Sequence, residues 1–125
     1  MNVEALRNAA VEFLQLSSSG RVREAYDRFA APGFKHHNPY FRGDAASLRE
    51  AMEKDAAVHP NKVLTVQRAV AEGDLVAVHS WVRMHGDDPG YALVHIFRFD
   101  GGRVAELWDI AAPVPPNSPN DNGMF

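Results

Sequence analysis

The sequence predicts an α+β domain, with three N-terminal helices packed on one face of a curved antiparallel sheet. Three observations predict it. Apolar residues recur at helical spacing up to about residue 58, then give way to β-branched and aromatic runs broken by glycine-rich turns. The helices precede the strands instead of alternating with them, which favours an antiparallel meander over a parallel sheet. The 125 residues, 46% hydrophobic and 23% charged, suffice for one core without staples. One domain is expected over residues 1–125, with 112–125 as an extended proline-rich tail.

The elements follow in order. Val3, Leu6, Ala10, Phe13 and Leu14 mark a helix from Asn2 to Leu16, stopped by Ser17-Ser18-Ser19-Gly20. Val22, Ala25, Tyr26 and Phe29 mark a second, ending before Ala31-Pro32-Gly33. Phe34 to Gly43 reads as irregular and rich in aromatics. A third helix is expected from Ser47 to Val58, with Ser47 and Glu50 as a capping box, Leu48, Met52 and Ala56 on its buried side, and His59-Pro60 as its stop. Strands follow over Val63–Ala71, Leu75–His85, Tyr91–Phe99 and Arg103–Ala111.

The turns set which strand residues share a face. Asp100-Gly101-Gly102 fits a three-residue hairpin loop that sets His95 opposite Leu107 and makes His95 and Asp109 diagonal neighbours. A five-residue loop, Gly86 to Gly90, would set Trp81 against His95 and bring His79 to the same face. Glu72-Gly73-Asp74 would set Gln67 opposite His79. Thr65, Gln67, His79, Trp81, His95 and Asp109 would then lie together with Leu93, Phe97 and Leu107. Such a mixture of titratable and apolar side chains suits a lined pocket, the alternative being a solvated polar sheet face. Within a pocket, Asp109 would titrate above the usual carboxylate value because burial disfavours its charge, an effect that a nearby protonated histidine would oppose. The opposite face, with Val76, Val78, Val82, Val94, Ile96, Trp108 and Ile110, is also apolar and calls for a two-fold partner.

Composition excludes several classes of function. A net charge of −3 without a basic stripe argues against nucleic acid or anionic membrane as partner. There are no cysteines, hence no disulfide or thiolate chemistry. The N-terminus lacks a signal-peptide pattern and no stretch is apolar enough to span a bilayer, so a cytoplasmic location is expected.

Five segments carry a resemblance: His37-Asn38-Pro39, Arg68 to His79, Ile96-Phe97-Arg98, Glu106-Leu107-Trp108-Asp109 and the ending Asn122-Gly123-Met124-Phe125. Together they resemble the SnoaL-like polyketide cyclase and aldol-condensing proteins of the nuclear transport factor 2-like superfamily. The resemblance implies a cone-shaped α+β barrel, a homodimer, and a hydrophobic cavity working without cofactor. It implies Asp109 as the general acid/base and Asn38 in the cavity wall. Two positions depart from that pattern. His95 stands where an aspartate is common, and Leu107 where a histidine is common.

The expected catalytic residues are therefore Asp109, His95 and His79. Asn38, His37, Gln67, Trp81, Phe97 and Tyr40 are expected to bind substrate, with one of His36 and His37 facing the cavity and the other solvent. No metal or cofactor is expected, although a histidine pair beside a carboxylate is also how a metal site begins. The expected ligand is a small hydrophobic carbonyl compound, undergoing aldol-type cyclisation, isomerisation or dehydration. The alternatives are a protein that binds such a ligand without turnover, or a structural dimer with a vestigial pocket. Met124 and Phe125, apolar at the end of a polar tail, are expected to dock the tail on the domain, its partner or the cavity.

Overall fold

The protein, described over residues 2–125 by a computed structural model, has three helices and five strands. Helix α1 (Val3–Ser18) begins where the Asn2 side chain accepts the Ala5 N–H at 2.8 Å, and it ends before Gly20, whose φ is +88°. Helix α2 spans Val22–Phe29 and runs directly into β1 (Ala30–His36). Helix α3 covers Ala45–Val58. Its cap is Asp44, which accepts the Ser47 N–H at 2.9 Å and the Ser47 hydroxyl at 2.7 Å, so the expected Ser47–Glu50 capping box gives way to a start two residues earlier. Asp44 titrates below the usual carboxylate value because of those two bonds. Strands β2 (Val63–Glu72), β3 (Leu75–Arg83), β4 (Tyr91–Asp100) and β5 (Arg103–Pro113) form the expected meander.

The sheet order is β1-β5-β4-β3-β2. The stretch expected to be irregular contains the end of an edge strand, β1, parallel to β5. Ala31-Pro32-Gly33, read as a breaker, is an irregularity within it: pairing skips from Ala30↔Val104 to Lys35↔Glu106, and Gly33 takes φ +78°. Proline is tolerated there because an edge strand with a bulge need not donate at every residue.

One sheet face packs on the helices. Phe13 of α1 is fully buried, edge-on to Phe97 at 5.8 Å and tilted against Tyr26 at 5.2 Å. Burying one such side chain contributes about 1.5–3 kcal/mol. Leu6, Leu14, Val22, Phe34, Leu48, Val76, Val78, Val104 and Leu107 complete the core. No helix of the described residues is long and apolar enough to cross a membrane.

The register differs from the expectation at every turn. Gly101 and Gly102, at φ +59° and +81°, form a two-residue turn with Asp100 opposite Arg103. That change alone would flip the faces, but a bulge follows at once: Phe99 faces Val104 while Arg98 faces Glu106. The result sets His95 directly opposite Asp109. Between β3 and β4, Val82 pairs with Tyr91, so the connection holds eight residues, not five. Asp88 organises it by accepting the Met84 and Gly90 N–H groups at 2.9 and 3.0 Å. His79 therefore faces Val94, and Val78 faces His95. Val76, Val78 and Val82 point to the core, whereas Val94, Ile96, Trp108 and Ile110 lie on the helix-free face. The apolar face expected for a partner is thus divided between the two sides.

The tail turns back on the helix-free face. Val114 N–H donates to Gly90 O at 2.9 Å, and the Phe125 ring lies 5.1 Å from Trp81 and 5.7 Å from His79. The stretch is not extended throughout, since turns interrupt it near its end. It docks on the outer sheet face, away from the cavity.

Candidate active site

The helix-covered face of β4 and β5 opens into a cavity of about 400 Å³. Its walls are largely apolar: Leu14 from α1, Leu48 and Met52 from α3, Leu64 and Val82 from β2 and β3, and Leu93 from β4. Asp109, His95 and Asn38 enter it from one side. A larger groove of about 570 Å³ between α1 and β2, lined by Arg7, Asn8, Val11, Glu12, Gln15 and Ala69, is open to solvent and holds none of these groups. The smaller, apolar cavity is the site that chemistry favours.

Asp109 is the centre of a hydrogen-bonded chain. Asn38 Nδ2 donates to its Oδ2 at 2.7 Å, and His95 Nε2 approaches its Oδ1 at 3.3 Å. The Asp109 side chain is 19% exposed and that of His95 9%. The orientation of the Asn38 amide is fixed from behind, because its Oδ1 accepts the Tyr40 N–H at 3.0 Å in an Asx turn and leaves Nδ2 to face the carboxylate. His36 steadies the same residue. Its Nδ1 accepts the Asn38 N–H at 3.1 Å while its Nε2 meets the Arg42 carbonyl at 2.5 Å, which requires a proton on Nε2.

Burial is the largest influence on the Asp109 carboxyl and pushes it up. The His95 hydrogen bond and charge, the Asn38 amide and, last, His36 together outweigh it and hold the group below the usual carboxylate value. The rise expected from burial is thus reversed, by the opposing effect of a neighbouring histidine with Asn38 beside it. At neutral pH Asp109 is ionised, a proton acceptor and not a donor. Its charge reaches into the core. Burial first, then Asp109, push the Tyr26 phenol well above its ordinary value, against a small opposing effect of Arg49. Tyr26 donates to the Met52 sulfur at 3.3 Å, immediately behind the cavity wall. His95 Nδ1 is buried and has no hydrogen-bond partner among the described residues.

The other expected site residues fall elsewhere. His79 and Trp81 are on the helix-free face, where Arg68 bonds His79 Nδ1 and Trp81 Nε1 donates to Pro89 O at 2.9 Å. Thr65 faces Trp81, and Gln67 is the bulged residue between Val66 and Arg68, so neither lines the cavity. Phe97 is on the correct face but fully buried against Phe13. His37 is exposed on the outer face, stacked on Trp108 at 5.0 Å and bonded to Glu106 at 2.6 Å. His36 is the inward member of that pair. Tyr40 lines the cavity mouth while remaining 84% exposed. Among the described residues, no group of three or more His, Cys, Asp or Glu side chains could hold a metal ion.

The family of the SnoaL-like domain matches residues 10–107. The chain belongs to that family. Its fold is accordingly the nuclear transport factor 2-like cone, and solved structures agree. AclR from Streptomyces galilaeus, a candidate hydroxylase, is 21% identical, with 89% of this chain and 91% of that one covered at a TM-score of 0.74. A candidate polyketide cyclase from Acidithiobacillus ferrooxidans is 23% identical, covering 89% and 91% at 0.70. A candidate isomerase of the SnoaL-like family from Agrobacterium tumefaciens is 11% identical, covering 86% and 97% at 0.69. At these identities the likeness is one of fold. No curated protein matches the sequence.

Several lining residues of this SnoaL-like cavity escaped the sequence reading, among them Ser17, Ser18, Asp55, Lys62, Met84 and Tyr91. Asp55 was within reach of it: Leu48, Met52 and Asp55 fall on one helical stripe, so a carboxylate interrupts the buried side of α3.

Proposed function

We propose that this SnoaL-like protein is an acid/base enzyme acting without cofactor on a small apolar carbonyl compound. The reaction class is proton transfer at the carbon beside the carbonyl, as in aldol-type cyclisation, isomerisation or dehydration. The observation that supports it is an ionised Asp109 in an apolar cavity, held by Asn38 and His95. In this reading Asp109 accepts the proton, because its partners keep it ionised at neutral pH. His95, which meets Asp109 through Nε2, holds the carboxylate charged and relays the proton by that contact, while its Nδ1 is buried. Asn38 acts through Asp109, fixing which oxygen faces the substrate. The walls of leucine, methionine and valine exclude water and select apolar carbon skeletons. General acid/base catalysis of this kind contributes about 10²–10⁴ in rate.

The test needs no knowledge of the natural substrate. Proton abstraction should appear as solvent deuterium entering the α-carbon of an aryl diketone such as 1-phenylbutane-1,3-dione, followed by NMR. Exchange above the buffer rate in the wild type, lost in Asp109→Asn, is the expected result. Exchange that survives in Asp109→Asn would remove the carboxylate from the mechanism. Binding of the probe without exchange would favour a carrier over an enzyme.

We further propose that the protein is a cytoplasmic homodimer paired through the helix-free sheet face. Val94 and Ile110, paired across β4 and β5 on that face, expose 36% and 58% of their surface, an apolar patch beside the docked tail. Sedimentation at micromolar concentration should give a dimer. A monomer would refute it.

A further inference from the structure

The cavity has a second polar feature, away from Asp109. Lys62, in the turn between α3 and β2, lines the cavity and is paired with Asp55 of α3. Surface lysines keep the ammonium in water, but here the side chain is only 11% exposed while its partner Asp55 is 40% exposed. Asp55 also has His59 Nε2 at 3.8 Å from its other oxygen. The acid can therefore turn toward solvent and the amine cannot. An ammonium has three N–H donors, and among the described residues Asp55 is the one acceptor it meets.

Position supports a role in binding. Lys62 is the sole lysine or arginine among the residues lining the cavity. Along the sheet, Ala69, Val78, His95 and Asp109 form one row, while Leu64, Val82 and Tyr91 form another next to Lys62. Four residues of strand separate these rows, roughly 13 Å at about 3.3 Å each. Apolar wall occupies the interval. A ligand lying along it meets a carboxylate and imidazole at one end and a desolvated ammonium at the other.

We propose that Lys62 is a specificity-determining residue, and that the cavity takes carbonyl compounds bearing an anionic group, a carboxylate, remote from the carbonyl. This deepens the function proposed above and rests on it. The ligand's carboxylate accepts the free Lys62 N–H groups, with Asp55 as the competitor it must share them with. Asp109, at the opposite end, repels the same carboxylate and so sets the ligand's direction.

Binding calorimetry on the full chain with 8-oxo-8-phenyloctanoate and its methyl ester tests this. The two probes share a phenyl ketone and alkyl chain and differ at the far carboxyl, charged in one and capped by a neutral methyl ester in the other. The wild type should prefer the acid about tenfold or more, the range of a charge-assisted hydrogen bond. Lys62→Gln should abolish the preference for acid over ester, Lys62→Arg should keep it, and Asp55→Asn should increase it. Melting curves identify any variant that fails to fold, and Lys62→Arg against Lys62→Gln then decides on folded proteins. Equal binding of acid and ester by the wild type, or a preference that survives Lys62→Gln, would overturn the role of Lys62 while leaving the carbonyl site standing. If neither probe binds, the carbonyl-binding reading fails and takes this inference with it. Because the readout is binding, loss of turnover in Asp109→Asn bears on the catalytic reading alone.

Discussion

Replacing His95 by leucine should reverse the sign of the pH dependence that Asp109 contributes to stability. In the wild type the folded carboxyl lies below its unfolded value of about 3.9. Its contribution is therefore present above that pH and is lost as acid takes the pH down through the folded value. His95→Leu keeps apolar volume but removes the hydrogen bond and the charge that oppose burial. Burial then dominates and the folded carboxyl rises, so the variant carries an unpaired buried charge at pH 7. Removing one partner of a buried pair costs about 3–5 kcal/mol. Asn38 still donates at 2.7 Å and the carboxylate is 19% exposed, so the cost here is about 2–3 kcal/mol. For a chain of 125 residues each kcal/mol is worth about 4 °C, which predicts a melting temperature lower by about 8–12 °C. Adding Asp109→Asn to His95→Leu should then restore about 1–2 kcal/mol at pH 7, because a neutral amide replaces the unpaired charge. That gain should be full above the raised folded value and vanish as the pH falls to the unfolded one. Denaturant melts of the single and double variants between pH 4 and 8 measure it. A double variant no more stable than His95→Leu at pH 7, or a gain that grows on acidification, would refute the account of the site's electrostatics.

Other predictions are more local. Asn38→Asp keeps an oxygen to accept the Tyr40 N–H but sets an acceptor against Asp109, so it should cost about 1–3 kcal/mol at pH 7 and recover in mild acid; equal stability at pH 7 would show the amide donor to be unimportant. Deleting residues 120–125 removes the half-buried Phe125 from Trp81 and His79 and should cost about 1 kcal/mol, near 4 °C, with a change in tryptophan fluorescence. An unchanged melt would mean that the tail contributes nothing to the fold. Gly90→Ala would place a Cβ 2.1 Å from the Val82 carbonyl oxygen at a φ of +78°. It should cost about 2 kcal/mol or more, and a thermal melt within 2 °C of wild type would contradict that, at about 4 °C per kcal/mol.

The architecture was legible because periodicity reports burial directly, and α1, α2 and the four meander strands fall where apolar spacing puts them. The strand β1 was not, because Pro32 and Gly33 read as a break; only the partner β5 converts that break into an edge irregularity. The site was half legible for a more instructive reason. Parity along a sheet depends on counting every loop and bulge. At the β4–β5 hairpin the miscounted turn and the unforeseen bulge at Ala105 compensate, so Asp109 and His95 share a face as expected. Between β3 and β4 nothing compensates, and His79, Trp81 and Thr65 go to the other side. What lengthens that connection is the capping of Met84 and Gly90 by Asp88, with the Trp81–Pro89 bond beside it, and no apolar period reports such contacts.

Asn38 shows how a residue with two plausible readings can satisfy both. Asn-Pro read as a turn and Asn as a polar group in the cavity wall are one arrangement here. The turn uses the Asn38 carbonyl oxygen, and that use leaves the amide nitrogen nowhere to face except Asp109. His36, buried and accepting the Asn38 N–H, supports the turn from below, while His37 next to it leaves for the outer face as the strand's alternation requires. The adjacent histidines thus part company, one to steady the site and the other to a surface cluster with Trp108 and Glu106. Asp109 gains a directional donor on one oxygen and His95 on the other, and the ionised state survives burial that would otherwise suppress it. The departure from the family pattern at His95 is then coherent with the rest of the site: an aspartate opposite Asp109 would set two carboxylates together, whereas the imidazole holds Asp109 charged. The acid/base character proposed for this cavity therefore belongs to a pair of residues on facing strands, of which Asp109 is held by a turn 71 positions earlier in the chain.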